Sequence, residues 1–301
     1  MPDRLLTHTF RFIQRQSAGA RIRAVDTIDQ RRWPVYHRPL PPQQVEQGVP
    51  VVLLHGFGND GATWMPFFRV LGLSREVAAP DLPGFGRQPL WFDAAEGEPG
   101  PRWYRRVTAE FLRELTVRWG QPPIVVGKSM GGMIAGLVAG ELPHLVRALV
   151  LIDPGGIETP QESEFWTAWR HGENLLLPRT RMEWDRMVAI LYQRKPRIPE
   201  FMVRTALRSI ASRREEYQRI FSALLSDGFN PLGDRLRRIT CPVTVVWGAQ
   251  DRVMDPSGVQ VIRQALPEAT AYVLPDCGHS PTREQPRALT DILFKVMNRY
   301  G

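Results

Sequence analysis

A short run of β-branched residues, Pro122-Pro123-Ile124-Val125-Val126, stops at Gly127-Lys128-Ser129-Met130-Gly131-Gly132 and gives way to a small, apolar stretch reaching Leu142. That order predicts strand, tight turn and helix, with Ser129 at the apex. Such a turn forces the serine into a strained backbone conformation, and Gly127 and Gly131 supply the missing side-chain volume that lets strand and helix pass closely. The result is a hydroxyl at a helix N-terminus, where backbone N–H groups favour developing negative charge. The spacing is G-x-S-x-G, the pattern of a nucleophile turn, and by itself it is only moderately specific.

The flanking sequence repeats the theme. Val51–Leu54 is a continuous apolar run ending in His55-Gly56-Phe57-Gly58, and a helix is expected over 61–71. A strand over 76–81 ends in Asp81-Leu82-Pro83-Gly84-Phe85-Gly86, followed by a helix over 101–119. The serine strand and its helix come next, then a strand over 147–153. Later come a strand over 242–247, a helix near 256–266, a strand over 271–274 and a terminal helix over 283–299. Near-continuous apolar strands alternating with helices predict an α/β protein, with a mostly parallel central sheet and helices on both faces. Ligands of such sheets bind beyond the carboxyl ends of the strands, where Phe57, Ser129, Asp153, Asp251 and His279 fall.

Between Asp153 and Cys241 the alternation breaks. Thr180-Arg181-Met182-Glu183 reads as a capping box ahead of the stripe Trp184, Met187, Val188, Leu191 and Tyr192. Two further stripes follow: Val203, Ala206, Leu207 and Ile210, then Ile220, Phe221, Leu224 and Leu225. A structureless loop of this length would be unusual, so a helical cap over residues 155–240, inserted after the sixth strand, is expected. The core is then residues 21–154 and 241–301, preceded by a basic segment at 1–20. Phe165, Trp166, Trp169 and Trp184 would serve as cap core, with Trp166 and Trp184, together with Phe57, as the candidates for an apolar substrate site.

A serine hydroxyl needs a base, itself oriented by a carboxylate. Gly248-Ala249-Gln250-Asp251 follows one strand and Pro275-Asp276-Cys277-Gly278-His279 follows the next, giving serine, acid and histidine in the order this architecture requires. Asp153 also ends a strand and is a rival for the acid, but Pro154-Gly155-Gly156 reads as its capping the exit into the insertion. Asp255 and Glu284 read as helix-end partners. The oxyanion donors are expected to be the backbone N–H groups of Phe57 and Met130. His55 and Gly56 read as shaping the first loop, Asp81 as a turn residue without a chemical role, and Lys128 as packed or solvated.

Two cysteines, Cys241 and Cys277, are too few for a disulfide framework, which points to a reducing, cytoplasmic setting. The six histidines form no short-spaced pair with a cysteine or carboxylate, so no metal site is expected. No apolar run has the length of a bilayer span or a signal segment. The net charge of +8 is uneven, with eight arginines against three aspartates in residues 1–40. Leu5, Leu6, Phe10 and Ile13 lie among Arg4, Arg11 and Arg15, so a basic amphipathic helix against an anionic membrane surface is one reading and a helix docked on its own domain the other. Cap arginines alternate with eleven acidic residues, which reads as a solvated face and not a nucleic-acid surface.

Taken together, His55-Gly56-Phe57-Gly58, Asp81-x-x-Gly84-x-Gly86, Gly127-x-Ser129-Met130-Gly131-Gly132 and Asp276-Cys277-Gly278-His279-Ser280 resemble the α/β-hydrolase superfamily. Trp247-Gly248-x-Gln250-Asp251-x-Val253-x-Asp255-x-Ser257-Gly258 brings the chain nearer the monoacylglycerol lipase branch and related bacterial lipases and esterases. The resemblance runs from about Phe12 and is weak in the cap. It implies the α/β-hydrolase fold and cofactor-free hydrolysis of a small acyl ester or monoacylglycerol. Ser129 would be nucleophile, Asp251 acid, His279 base, and Phe57 and Met130 oxyanion donors. Many members of that branch carry an N-terminal membrane anchor, whereas here the expectation is at most peripheral contact. Gln88 stands where many relatives show serine. The alternative is a carbon–carbon bond hydrolase of ring-cleavage products with the same triad, but those enzymes usually show tryptophan where Ser280 stands. A non-catalytic binding protein of this fold would usually have lost a triad member.

Overall fold

In the computed structural model, which describes residues 19–27, 30–38, 48–91 and 97–301, eight strands form one sheet in the order β1-β2-β4-β3-β5-β6-β7-β8. They are β1 (Arg21–Asp26), β2 (Arg32–Arg38), β3 (Val51–Leu54), β4 (Val77–Pro80), β5 (Ile124–Lys128), β6 (Ala148–Ile152), β7 (Val243–Gly248) and β8 (Thr270–Leu274). The entry ribbon β1–β2 and its junction with β4 are antiparallel, and every other pairing is parallel. The basic segment at 1–18 and most of the Pro-rich loop at 39–50 lie outside the described residues.

Strand side chains alternate between faces, and both faces are apolar. Val52, Leu54, Val125, Leu149 and Leu151 enter one core, while Val51, Leu53, Ile124, Val126, Val150 and Ile152 enter the other. On the first face lie α2 (Pro101–Trp119), α3 (Met130–Glu141) and α8 (Gly258–Ala265), contributing Trp103, Phe111, Ile134, Val138 and Ile262. On the second lie α1 (Met65–Leu71) and α10 (Pro286–Tyr300), through Phe67, Phe68, Leu289, Leu293 and Val296. Helices on both faces are what lets parallel strands be apolar throughout.

Between β6 and β7 the chain forms α4 (Glu164–Arg170), α5 (Arg181–Leu191), α6 (Glu200–Ser212) and α7 (Arg214–Leu224). Helix α4 starts where Ser163 Oγ accepts from Trp166 N, and α5 where Thr180 Oγ1 accepts from Glu183 N at 3.2 Å. Glu183 answers from the other side, accepting from Arg179 N at 2.7 Å, one residue ahead of the cap. The stripes are unequally used. Met187, Val188, Ile220, Phe221 and Leu224 are buried, but of Val203, Ala206, Leu207 and Ile210 only Val203 is.

The terminal helix differs from its sequence reading. A short turn, α9 (Pro281–Glu284), is separated from α10 by Gln285 at φ −129°, ψ 48°. Pro286 is the cause, because its ring disfavours a helical conformation in the preceding residue.

Candidate functional site

Ser129 follows β5 immediately and precedes α3, with φ 53° and ψ −118°. A left-handed φ costs a non-glycine residue of the order of 1 kcal/mol or more and persists only where the surroundings enforce it. Here they do. Ser129 N donates to Ile152 O at 2.9 Å, and Ser129 O accepts from Met133 N and Gly155 N at 3.0 Å each. A Cβ on Gly127 would lie 2.7 Å from Gly132 Cα, and one on Gly131 would lie 2.6 Å from His55 O. Both glycines therefore stand where backbone meets backbone. Met130 opens α3, so its N–H is one of the orphan donors of a helix start.

The loop after β3 closes over the serine from the neighbouring strand. A Cβ on Gly56 would come within 3.2 Å of Ser129 Cβ, so the chain entering Phe57 runs directly against the nucleophile position. His55 is fully buried; its Nε2 accepts from Leu82 N at 2.9 Å and its Nδ1 donates to Gly56 O at 2.9 Å. It ties the loop after β3 to the turn after β4. Asp81 holds that turn, accepting from Gly61 N at 2.7 Å and Arg87 N at 2.9 Å.

Burial lowers His55 from 6.5 to about 4, only partly offset by Gly56 O, because the imidazolium would have no water around it. The unfolded chain then binds this proton first. The stability due to neutral His55 is complete above pH 6.5 and is lost as pH falls towards 4, by up to about 3 kcal/mol. In denaturant unfolding at pH 7 and 4.5, His55→Gln is expected to lose less stability on acidification than wild type. Equal slopes would contradict the assignment.

Asp251 and His279 meet on loops that follow adjacent strands. His279 Nδ1 lies 2.7 Å from Asp251 Oδ2, and both residues are buried. The other carboxylate oxygen accepts from Val253 N at 2.7 Å and Met254 N at 3.0 Å. Burial first, then Lys128, pushes His279 down to about 3. Burial pushes the Asp251 carboxyl upward, while its two amide donors and Lys128 favour the charged form. A neutral ring with its proton on Nδ1 facing Asp251 leaves Nε2 as the basic atom.

Backbone contacts join the two loops. Gln250 N donates to Cys277 O at 2.9 Å, Cys277 N donates to Gln250 Oε1 at 3.0 Å, and Ala249 N donates to Leu274 O. Glu284 bridges to the insertion, accepting from Gly278 N through Oε2 and from Arg194 N through Oε1, both at 2.8 Å. Asp255 accepts from Ser257 N just ahead of α8.

Phe57 stands in a ring of aromatics, with centroids 5.4 Å from Phe85, 5.8 Å from Tyr217 and 5.4 Å from Phe221. Trp166 packs edge-on against Phe165 and Phe229. Phe165, Phe221, Ile190 and Val253 form the apolar cluster under the insertion, and Phe57, Trp166 and Trp169 border it. Trp184 is half-buried on α5 and stands outside that cluster. Tyr217 and Phe85 were not singled out in the sequence. Tyr217 keeps the 3–4 spacing with Ile220, Phe221 and Leu224, which was its available signal.

Among the described residues, the one grouping of three His, Cys, Asp or Glu side chains with metal-like spacing is Asp153, Asp251 and His279. It coincides with the acid–histidine pair above. Lys128, read from sequence as packed or solvated, is buried and interacts electrostatically with both carboxylates.

The profile of the Alpha/beta hydrolase family matches residues 51–292. The chain belongs to that family. It is 28% identical over 263 residues to Monoacylglycerol lipase abhd6-B of Xenopus laevis, covering 82% of this chain and 76% of that protein. Among solved structures, a membrane phospholipase A described as a bacterial virulence factor superposes with a TM-score of 0.84 at 27% identity, covering 99% of this chain and 92% of that one. The 2-hydroxy-6-oxo-6-phenylhexa-2,4-dienoate hydrolase of Rhodococcus sp. strain RHA1 superposes with a TM-score of 0.75 at 21% identity, over 92% of this chain and 98% of that one, a likeness of fold alone.

Proposed function

We propose that this α/β hydrolase is a lipase- or esterase-type enzyme that cleaves small acyl esters, monoacylglycerols among them, through Ser129, His279 and Asp251. The observation that carries the reading is the buried 2.7 Å contact between His279 Nδ1 and Asp251 Oδ2, on the sheet edge that also carries Ser129 at its strained turn. Ester names among the relatives support it. His279 Nε2 takes the Ser129 proton as Oγ attacks the ester carbonyl. The N–H groups of Met130 and Phe57 receive the oxyanion, each worth roughly 3 kcal/mol of barrier. The imidazolium, held by Asp251, protonates the departing alcohol; the neutral ring then takes a proton from water as that water attacks the acyl carbon, and returns it to Ser129 Oγ as the acid leaves. Residues 155–240 act as a cap over this site, with Phe57, Tyr217, Phe221 and Trp166 as the apolar wall for the acyl group; Trp184 is assigned to the same cap.

The basic segment at 1–20 lies almost wholly outside the described residues, so contact with an anionic membrane surface rests on its sequence. No helix among the described residues is long and apolar enough to cross a membrane.

Hydrolysis of p-nitrophenyl esters of increasing chain length, with a monoacylglycerol alongside, tests the activity. Turnover by wild type is expected, and Phe221→Ala is expected to shift the preferred chain length upward by opening the aromatic wall. A folded wild type inert to every ester sends the reading to the carbon–carbon hydrolase substrates.

A further inference from the structure

The acid–histidine pair has a third neighbour. Asp153 follows β6, which lies between β5, bearing Ser129, and β7, leading to Asp251. It is fully buried and holds a left-handed φ of 43°. Its Oδ1 accepts from Gly248 N at 2.8 Å, anchoring the end of β7, whereas Oδ2 is buried without any hydrogen-bond partner. A carboxylate oxygen of Asp153 lies within 4.8 Å of both the His279 ring nitrogen and the Asp251 oxygen. A buried carboxylate with one unmatched oxygen is costly, and an anchor for Gly248 needs only one. Asp153 therefore carries carboxylate capacity beyond that anchor, within a few ångströms of the acid–histidine pair.

Resting on the triad reading above, we propose that Asp153 is a positioning residue for His279: a second carboxylate that stabilises the imidazolium and serves the ring when Asp251 cannot. Charge balance gives the reason. The charged and titratable groups facing Asp153 are Lys128, Asp251, His279 and the thiol of Cys277, which burial keeps protonated and neutral. With Asp251 and Lys128 alone, the surroundings of His279 would sum to zero, and protonating the ring would add a positive charge beside a buried ammonium. Lys128 indeed opposes that protonation and Asp153 favours it. With Asp153 ionised as well, the surroundings carry one negative charge, and the imidazolium of the transition state neutralises it. Burial and then Asp251 push Asp153 up to about 7, so its charge becomes available across the neutral range.

The test follows phosphorylation of Ser129 by diisopropyl fluorophosphate, in which Oγ forms the P–O bond, the P–F bond breaks, fluoride departs and His279 takes the hydroxyl proton, so that activation of the serine is read independently of the ester substrate. Wild type, Asp153→Asn, Asp251→Asn and the double variant are compared from pH 5.5 to 8.5, alongside ester turnover. Asparagine retains the acceptor for Gly248 N, and thermal unfolding checks the fold. At pH 5.5, below the range to which burial raises both Asp153 and Asp251, Asp153→Asn is expected to match wild type. At pH 8.5 it is expected to be about tenfold slower, the equivalent of one unit of imidazole basicity. Asp251→Asn is expected to fall about 10²-fold, and the double variant to reach the roughly 10⁴-fold loss usual when a triad carboxylate is removed without replacement. A wild-type to Asp153→Asn ratio that does not change with pH overturns the proposal. So does an Asp251→Asn variant already at the 10⁴-fold level that the second substitution leaves unchanged. Ser129 that is phosphorylated with the expected pattern while esters go unturned leaves the proposal standing and removes the ester reading.

Discussion

Ser129→Ala is expected to abolish ester turnover, lowering kcat by about 10⁶-fold, without loss of the fold. A magnitude of this order is the usual consequence of removing a triad nucleophile, with the oxyanion donors and substrate binding leaving a small residue of catalysis. Stability should change little. The strain at φ 53° is the same for alanine as for serine, and the contacts that impose it, from Ser129 N to Ile152 O and from Met133 N and Gly155 N to Ser129 O, are backbone bonds. The measurement is kcat for the best p-nitrophenyl ester, with unfolding temperature alongside. Residual activity near wild type would remove Ser129 from the chemistry.

Gly248→Ala is expected to damage both fold and activity. A Cβ at the end of β7 would lie 2.6 Å from Cys277 O and closer still to Gly278 O, both backbone atoms of the histidine loop. Neither can move freely. Cys277 O accepts from Gln250 N, and Gly278 N is held by Glu284. Gly278 is itself wedged against the insertion, because a Cβ there would lie 2.8 Å from Gln193 N. The added methyl must therefore push the acid loop and the histidine loop apart. A cost of about 3 kcal/mol in stability is expected from overpacking of this kind. At least a 10²-fold loss in kcat/KM should follow, since displacement of a catalytic group by about 1 Å is enough for that. Denaturant unfolding and ester kinetics check the two effects. An alanine variant with unchanged kcat/KM would show that the His279–Asp251 spacing does not depend on this contact.

What could be read from the sequence was what depends on neighbours along the chain. Val51–Leu54 and Ile124–Val126 are apolar on every residue because both faces of their strands are covered, and such runs are visible without a structure. The serine turn was visible because backbone crowding at Gly127 and Gly131 permits little besides glycine. Asp251 and His279 were found by following each strand to its carboxyl end. What escaped depends on which strands lie side by side. Asp153 reads locally as a rival for the acid, set aside as the exit to the insertion; that it stands beside His279 together with Asp251 follows only from the placement of β6 between β5 and β7. Lys128 occupies the variable position of the turn, and its burial between two carboxylates is equally a matter of strand order. Glu284 reads as a helix-end residue, while its partner Arg194 lies in a distant helical insert. The break at Gln285 was missed, although its signal, Pro286, is local.

The placement of the three side chains on three separate strand ends also bears on how a newly made chain comes to life. Ser129 and His279 stand well over a hundred positions apart, with helices α3 to α8 intervening. Bringing their loops together means closing a long stretch of polymer before any contact there can reward the lost entropy, which makes it one of the slower events in folding. Until β7 and β8 have docked beside β6, Ser129 stands without His279. On the proposed triad, a ribosome-bound or broken chain lacking those strands would carry the serine turn and yet be chemically silent.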